Sequence, residues 1–213
     1  MSHPASHPPE PAEPIVAYGG GGHGRTVAEA AAEQGWHVVG FVDDNRRPGD
    51  AVGPWCTIDL ADVDPRVSNI IVTIGDNAIR QRVCQKLRED RWRIISVIHP
   101  TAWVSPSATI GVGVYVGPHA TINAHAVLED GALVNSHAVV EHDVCVGAFA
   151  HVAPNAAVCG HGRIGERAMV GAGATIIPEI TVGPRAIIGA GAAVVRDIPA
   201  DQTVVGVPAK PLD

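Results

Sequence analysis

From Val104 to Val194 every sixth residue is aliphatic. The run passes through Ile110, Val116, Ile122 and Leu128 and reaches Val194 with sixteen aliphatic residues in sixteen positions. Two residues before the beat the chain places Ala at twelve of these sixteen positions, among them 102, 108, 120, 126, 132 and 138. Just after the beat Gly is common, as at 111, 117, 147, 165, 171, 183 and 189. Neither the 3.6 period of a helix nor the 2.0 period of a strand produces this pattern. A repeat of six predicts a parallel β-helix, in which three hexads make one triangular coil. The beat residue points inward and stacks on its equivalent one coil above. The small residue lets the corner close. The run supplies about five coils, or roughly 24 Å of rise at ordinary strand spacing.

The preceding segment follows a different grammar. "IVAYG" (15–19) is a short apolar strand that stops at four glycines, and "RTVAEAAAEQG" (25–35) is a helix closed by Gly35. "HVVGFVDD" (37–44), "NIIVTIG" (69–75) and "RIISVI" (93–98) are further strands. "NAIRQRVCQKLRED" (77–90) is a second helix with Ile79, Val83 and Leu87 on one face. Strand–helix alternation implies a parallel sheet with covering helices. Roughly 85 residues make about half of a doubly wound dinucleotide fold. The expected organisation is a Pro-rich disordered leader over 1–14, an α/β half-Rossmann-like domain over 15–98, and a β-helix with a C-terminal tail over 99–213.

Composition narrows the function. Net charge is −7 and no basic block runs along the chain, which disfavours a nucleic-acid partner. The four cysteines have no CxxC spacing and suit free thiols in a reducing cytoplasm. No stretch is long and apolar enough to cross a bilayer. The leader has no apolar signal-peptide core.

Two clusters interrupt this plain background. "GGGGHG" (19–24) follows a strand and opens a helix; Gly19, Gly21 and Gly24 satisfy GxGxxG, and Asp43 follows 19 residues after Gly24. Glycines let backbone amides approach a phosphate, and the helix N-terminus adds a favourable field. A dinucleotide and the nucleotide of a sugar nucleotide both fit that physics. Gly21, Gly22 and His23 would meet the diphosphate, and Asp43 and Asp44 the ribose or base. The second cluster is Glu141-His142-Asp143, directly after the beat residue Val140 and so on the outer surface. Such a triplet can be solvated surface. It is also the equipment for moving a proton near neutral pH, with a carboxylate fixing the imidazole tautomer. The remaining coil histidines, at 119, 125, 137 and 161, show no metal-ligand spacing.

Taken in order, "AYGGGGHGRTVAEAA", "GFVDD", "TIGDNAIRQRV", "EHD" within hexapeptide coils, and the tail "GVPAKPL" resemble the NeuD/PglD-type sugar acetyltransferases. These belong to the hexapeptide-repeat acyltransferases, whose β-helix is left-handed. The resemblance covers about residues 15–212. It implies acetyl-CoA as co-substrate, no metal, and a homotrimer with CoA in the groove between subunits. His142 matches the general base and Asp143 the acid that orients it. The family more often carries Glu there, and Glu141 could substitute. His151 matches a histidine that contacts the thioester carbonyl or CoA. Ala172 and Ala190 lie near positions that contact CoA through the main chain. The expected activity is N-acetylation of the 4-amino group of a UDP- or GDP-linked 4-amino-4,6-dideoxy sugar. O-acetylation of sialic acid and a non-catalytic nucleotide-binding trimer are the alternatives, with a NAD-dependent oxidoreductase more distant.

Overall fold

A computed structural model describes residues 13–66 and 68–212. The expected leader lies outside the described residues as far as residue 12. Pro14 already belongs to the first strand, and the Glu13 carboxylate accepts a hydrogen bond from Asn69 Nδ2 at 3.0 Å.

The N-terminal unit runs β1 (Pro14–Tyr18), α1 (Gly22–Glu33), β2 (His37–Val42), β3 (Ala51–Val52), β4 (Trp55–Cys56), β5 (Asn69–Val72), α2 (Asn77–Glu89) and β6 (Arg93–Ile94). Its main sheet has the order β2-β1-β5-β6, all parallel. The chain winds first to one side of β1 and then to the other, so a switch point falls between β1 and β5. Ligands of open α/β sheets bind at such a point, beyond the carboxyl ends of the strands. The antiparallel hairpin β3–β4 was not expected. Strands of two residues are too short to show a periodicity.

The two helices begin and end near their expected limits, but α2 turns a different face to the core. Arg80, Cys84 and Leu87 are buried, whereas Ile79 is 41% exposed and Val83 is half-buried. The reason lies in what the helix covers: its inner side meets both the sheet and the main-chain carbonyls of the β-helix, and an arginine serves the second surface.

The stretch 93–98, expected as one strand, is two. Arg93–Ile94 closes the N-terminal sheet, while Val97–Ile98 pairs with Tyr115–Val116 and starts the β-helix. Between them Ser96 Oγ donates to Gly111 O at 2.8 Å and accepts from Val114 N at 3.0 Å. From there, two-residue parallel strands pair at steps of eighteen, as in Val139↔Ala157 and Val140↔Val158. They form three faces. The first contains Val97–Ile98, Tyr115–Val116, Leu133–Val134, His151–Val152, Met169–Val170, Ile187–Ile188 and Thr203–Val205. The ladder thus extends one rung below the aliphatic run and one above it. Its last step is sixteen residues, Ile187↔Thr203, which breaks the count of six.

The beat residues line the interior: Val116, Ile122, Leu128, Val134, Val140, Val146, Val152 and Val158 are all 0% exposed. Burial of each such side chain contributes about 1.5–3 kcal/mol. The alanines two positions earlier face the same interior, with Ala120, Ala126, Ala132, Ala138, Ala150 and Ala156 also at 0%. The corner itself is made by the residue three positions before the beat, directly ahead of the alanine or of a substitute such as Val144 or Gly162. It adopts a left-handed backbone, as at His119 (φ 56°), His125 (59°), His137 (55°), Asp143 (59°), Asn155 (58°) and His161 (60°). His, Asn and Asp are several-fold enriched in that region among non-glycine residues.

The first face is covered by the N-terminal unit. Val97, Tyr115 and Leu133 pack in one cluster with Ile15, Ala28 and Ala31, and Phe149 packs with Val16, Ile70 and Leu87. Alanines on α1 allow this close approach.

Candidate active site

His142 stands on the edge between the second face, which carries Val139–Val140, and the third, which carries Cys145–Val146. Its Nδ1 lies 2.9 Å from Asp143 Oδ2. The left-handed backbone of Asp143 turns its short side chain back onto the preceding ring. Glu141 accepts instead from the backbone N of His142 at 3.3 Å, so the ring partner is Asp143. The hydrogen bond from His142 holds the Asp143 carboxyl below its usual range, with the charges of His161, His142 and His125 acting in the same sense. An ionised carboxylate only accepts, so His142 Nδ1 carries the hydrogen and the neutral ring keeps its lone pair on Nε2. The His142 side chain is 53% exposed.

Two residues near this ring escaped sequence reasoning. His161 lies one coil above Asp143; its Nε2 is 3.9 Å from Asp143 Oδ2, and its ring meets His142 edge to face at 5.3 Å. The donor atoms of His142, Asp143 and His161 fall within 4.8 Å of one another. Gly160 lies one coil above His142 and is the floor beneath its ring: a Cβ there would stand 2.6 Å from Cε1 and 2.7 Å from Nε2. The eighteen-residue step is the signal that would have found both.

The glycine loop occupies the switch point. A Cβ at Gly24 would lie 1.9 Å from Gly19 O, so α1 can start this close to β1 only without a side chain there. Over Gly21 and Gly22 nothing lies within 4 Å of an added Cβ, and Gly21 caps α1 with no side-chain hydrogen bond. The loop surface over these two glycines is therefore open at the N-terminus of a helix, an end that favours a phosphate. Asp43 closes the loop from below. Its Oδ2 accepts from Gly20 N at 2.7 Å and its Oδ1 from Asn45 N at 2.9 Å. Asp44 accepts from Tyr18 OH at 2.8 Å, and burial with these two carboxylates raises the phenol to about 12. Beside the loop after β5, a cleft of about 370 Å³ is lined by Gly75, Asp76, Asn77, Arg167, Met169 and Arg185, among others.

His23 is turned toward the β-helix and not outward beside Gly21. Its ring meets Tyr115 edge-on at 5.4 Å, and its Nε2 is buried without a hydrogen-bond partner. Burial, aided by the Arg80 charge, lowers its titration to about 4. His151 lies on the same covered face, 9% exposed, with Nε2 3.3 Å from Asn135 Nδ2. Burial, then Arg80 and His23, lower it to about 3. Both rings are neutral at physiological pH.

The expected site residues therefore separate within one chain. The glycine loop, His23 and His151 belong to the covered first face. His142, Asp143 and Glu141 occupy the opposite edge of the triangular prism. Ala172 and Ala190 are exposed on the edge between the first and second faces, joined by Gly191 N donating to Ala172 O at 2.8 Å. Between that edge and His142 runs the second face, whose outward side chains in the later coils, Val139, Ala157, Thr175 and Ala193, are small, with Thr121 and the exposed Trp103 in the coils before them.

Known proteins share both halves of this architecture. Residues 14–87 match the PglD N-terminal domain family, and residues 161–196 match the bacterial transferase hexapeptide family of six repeats. The acetyltransferase domain of PglB from Neisseria gonorrhoeae FA1090 superposes with a TM-score of 0.89 at 38% identity, covering 94% of this chain and 100% of that one. It has also been solved in complex with acetyl coenzyme A. PerB from Caulobacter crescentus, solved in complex with CoA and GDP-perosamine, gives a TM-score of 0.87 at 40% identity, covering 93% of this chain and 97% of that one. The UDP-N-acetylbacillosamine N-acetyltransferase of Bacillus subtilis (strain 168) is 33% identical over 106 residues, which are 46% of this chain and 49% of that protein. An uncharacterised protein of Acanthamoeba polyphaga mimivirus is 34% identical over 96 residues, only 19% of its length. The chain thus spans less than half of either of these two relatives.

Fold and matches together place the chain in the hexapeptide-repeat acyltransferase class. Within that class the chain belongs to the NeuD/PglD-type sugar acetyltransferases.

Proposed function

We propose that this protein transfers an acetyl group from acetyl-CoA to the 4-amino group of a UDP- or GDP-linked 4-amino-4,6-dideoxy sugar. The observation that carries the reading is the His142–Asp143 pair, with Nδ1 committed at 2.9 Å and Nε2 left as acceptor. The sugar attacks as the free amine, its ammonium proton having passed to solvent beforehand, and bonding to the thioester carbon makes the nitrogen acidic, so a base must take the further N–H proton that attack releases. His142 Nε2 takes it as the nitrogen bonds to the carbonyl carbon. The Asp143 carboxylate stabilises the imidazolium, with Glu141 holding the backbone at the turn. Collapse of the tetrahedral adduct breaks the C–S bond, and the imidazolium returns a proton to the leaving thiolate.

The nucleotide belongs at the switch point: diphosphate over Gly21 and Gly22, with Asp43 and Asp44 shaping the crevice walls and the His23 ring turned inward onto Tyr115 behind the loop. CoA lies along the later coils near Ala172 and Ala190, with His151 contributing from the covered face. His142 and the crevice stand on opposite sides of one prism, so a single chain does not close the site. A homotrimer does, with His142 of one chain meeting substrates held largely by its neighbour. The small outward residues of the second face suit such contact. Among the described residues no helix is long and apolar enough to cross a membrane. All four cysteines are free, which suits the reducing cytoplasm.

The relatives' names support the substrate class: one acts on UDP-N-acetylbacillosamine, another was solved with GDP-perosamine. A perosamine N-acetyltransferase with a histidine replaced by asparagine was likewise solved with CoA and GDP-perosamine. The test uses purified protein, acetyl-CoA and a panel of GDP-perosamine, UDP-linked 4-amino sugars and sialic acid, with thiol release followed by mass analysis. Amide formation on a nucleotide sugar is expected. Turnover confined to sialic acid would move the reading to O-acetylation, and binding without turnover to a non-catalytic role. In His142→Asn, kcat should fall by about 10²–10⁴, the span for loss of a general base, with both substrates still bound. Wild-type kcat in that variant would end this mechanism.

A further inference from the structure

Arg80 is 0% exposed, and no other arginine or lysine among the described residues is buried. A guanidinium has five N–H donors, and here each has its acceptor. Nε donates to Gly131 O at 2.9 Å. Nη1 donates to Ile74 O at 2.9 Å and Gly75 O at 3.1 Å. Nη2 donates to Asn77 Oδ1 at 2.8 Å and Phe149 O at 2.7 Å. Four of these acceptors are main-chain carbonyls, and none is a carboxylate.

A buried cation that makes no ion pair, with Asp76 acting on its charge only from a distance, is a poor source of stability, because desolvation costs several kcal/mol that an apolar side chain of similar volume would not incur. What the fork provides is geometry. Ile74 and Gly75 form the loop that follows β5 at the nucleotide crevice. Gly131 and Phe149 are corner residues of successive coils, with φ of 68° and 56°. Asn77, held by Arg80, extends the contact one coil further, its Nδ2 donating to Arg167 O at 2.9 Å and Ala168 O at 3.2 Å. Arg80 and Asn77 therefore grip three consecutive corners, eighteen residues apart, from the lip of the crevice.

We propose that Arg80, with Asn77, is a positioning residue for acetyl transfer, registering the nucleotide crevice against the coils of the β-helix and so fixing where the sugar arrives. This rests on the substrate reading given above. The same guanidinium stands close enough to His23 and His151 for its charge to oppose their protonation. Its charge thereby adds to the burial that keeps the two rings between crevice and coil neutral.

Arg80→Lys keeps the charge but offers three donors from one nitrogen, which cannot span five acceptors on two domains. With acetyl-CoA and the best-used sugar of the panel, kcat/KM for the sugar should fall by about tenfold or more, since a displacement near 1 Å can cost up to about 10²-fold. The KM for acetyl-CoA should stay within about threefold. Unchanged sugar kcat/KM, or equal losses on both substrates that follow the fall in Tm, would overturn the proposal. If Arg80→Lys does not fold, Asn77→Ala carries the same test, with a smaller loss on the sugar side alone expected and no loss overturning it. Imidazole NMR gives a readout that a merely structural role would not move. In Arg80→Met the titration midpoints of His23 and His151 should rise, and in folded Arg80→Lys they should not. If the wild type acetylates nothing in the panel, the substrate reading has failed by itself; unmoved midpoints in Arg80→Met would then overturn the role of Arg80 separately.

Discussion

Gly160→Ala isolates the position of one ring from everything else in the fold. The backbone at Gly160 is not in the left-handed region, so alanine is conformationally acceptable there. Its methyl, however, would sit 2.6 Å from Cε1 and 2.7 Å from Nε2 of His142. Unbonded carbon atoms settle at about 3.5–4.0 Å, so the ring must retreat by about 1 Å. His142 is half exposed and can swing outward, and the fold loses little. Tm should change by no more than the effect of a surface substitution of about 0.5 kcal/mol. Turnover should fall by about 10²-fold, the cost of misplacing a catalytic group by that distance. The assay is thiol release from acetyl-CoA under saturating sugar, with circular dichroism melting on the same preparation. Low kcat with unchanged melting is the expected pair. Wild-type kcat would show that the transfer does not depend on this ring position. A large fall in Tm would show that Gly160 serves the coil and not the base.

Further variants probe the same arrangement from other sides. Asp143→Asn removes the anion that holds Nδ1–H, and kcat should drop about 10- to 100-fold, short of the 10²–10⁴ expected for a lost base; a loss equal to that of His142→Asn would contradict the assignment of roles. Ala172→Trp places a bulky side chain on the exposed edge and should raise the KM for acetyl-CoA far more than that for the sugar, with equal rises counting against the CoA path. His23 and His151 titrate near 4 and 3 and not near 6.5, so the unfolded chain takes up protons that the folded chain refuses. Their contribution is complete above pH 6.5 and is lost as pH falls toward 4, by about 3 kcal/mol for each ring at 1.36 kcal/mol per pH unit. Melting scans from pH 7 to pH 4.5 should show this decline, and His23→Gln combined with His151→Gln should flatten it; an equally steep profile in the double variant would refute the cause.

The β-helix was legible because its rule is local and repeated. Each beat residue such as Val140 or Val158 stacks on a neighbour eighteen residues away, so one period specifies the whole core. The count failed only where the rule bends. Ile98 keeps the beat but was assigned to the preceding sheet, because "RIISVI" carries no break at Ile95 and Ser96. The last coil is two residues shorter, so Val204 stands off the register. In the N-terminal unit the strands and helices followed from apolar runs and glycine punctuation. The inner face of α2 did not, because the expectation sought apolar side chains and the structure buries Arg80. Its acceptors are main-chain carbonyls of residues 74, 75, 131 and 149, which leave no mark in residue type.

The histidines show how much of the site a periodic sequence can carry. Six lie between 119 and 161. Four of them, at 119, 125, 137 and 161, occupy left-handed corners with φ from 55° to 60°. Histidine tolerates that backbone better than branched residues do, so the fold alone accounts for these four. His142 and His151 stand off that corner series, one just before a corner and one in a strand, where the coil has no use for imidazole. Counting positions within the hexad thus separates the two rings that need a chemical explanation from the four that do not. The nine-residue step between them is half of an eighteen-residue coil and places them on opposite sides of the prism, but the count does not reveal which side is covered, because the docking of the N-terminal unit decides that. That docking rests on Tyr115 and Leu133, stacked one coil apart on the first face, and on Phe149 and Arg80, which fall outside that register. His142 on a free edge and the glycine loop over a covered face do not meet within one chain, and the proposed trimer is the arrangement that would join them.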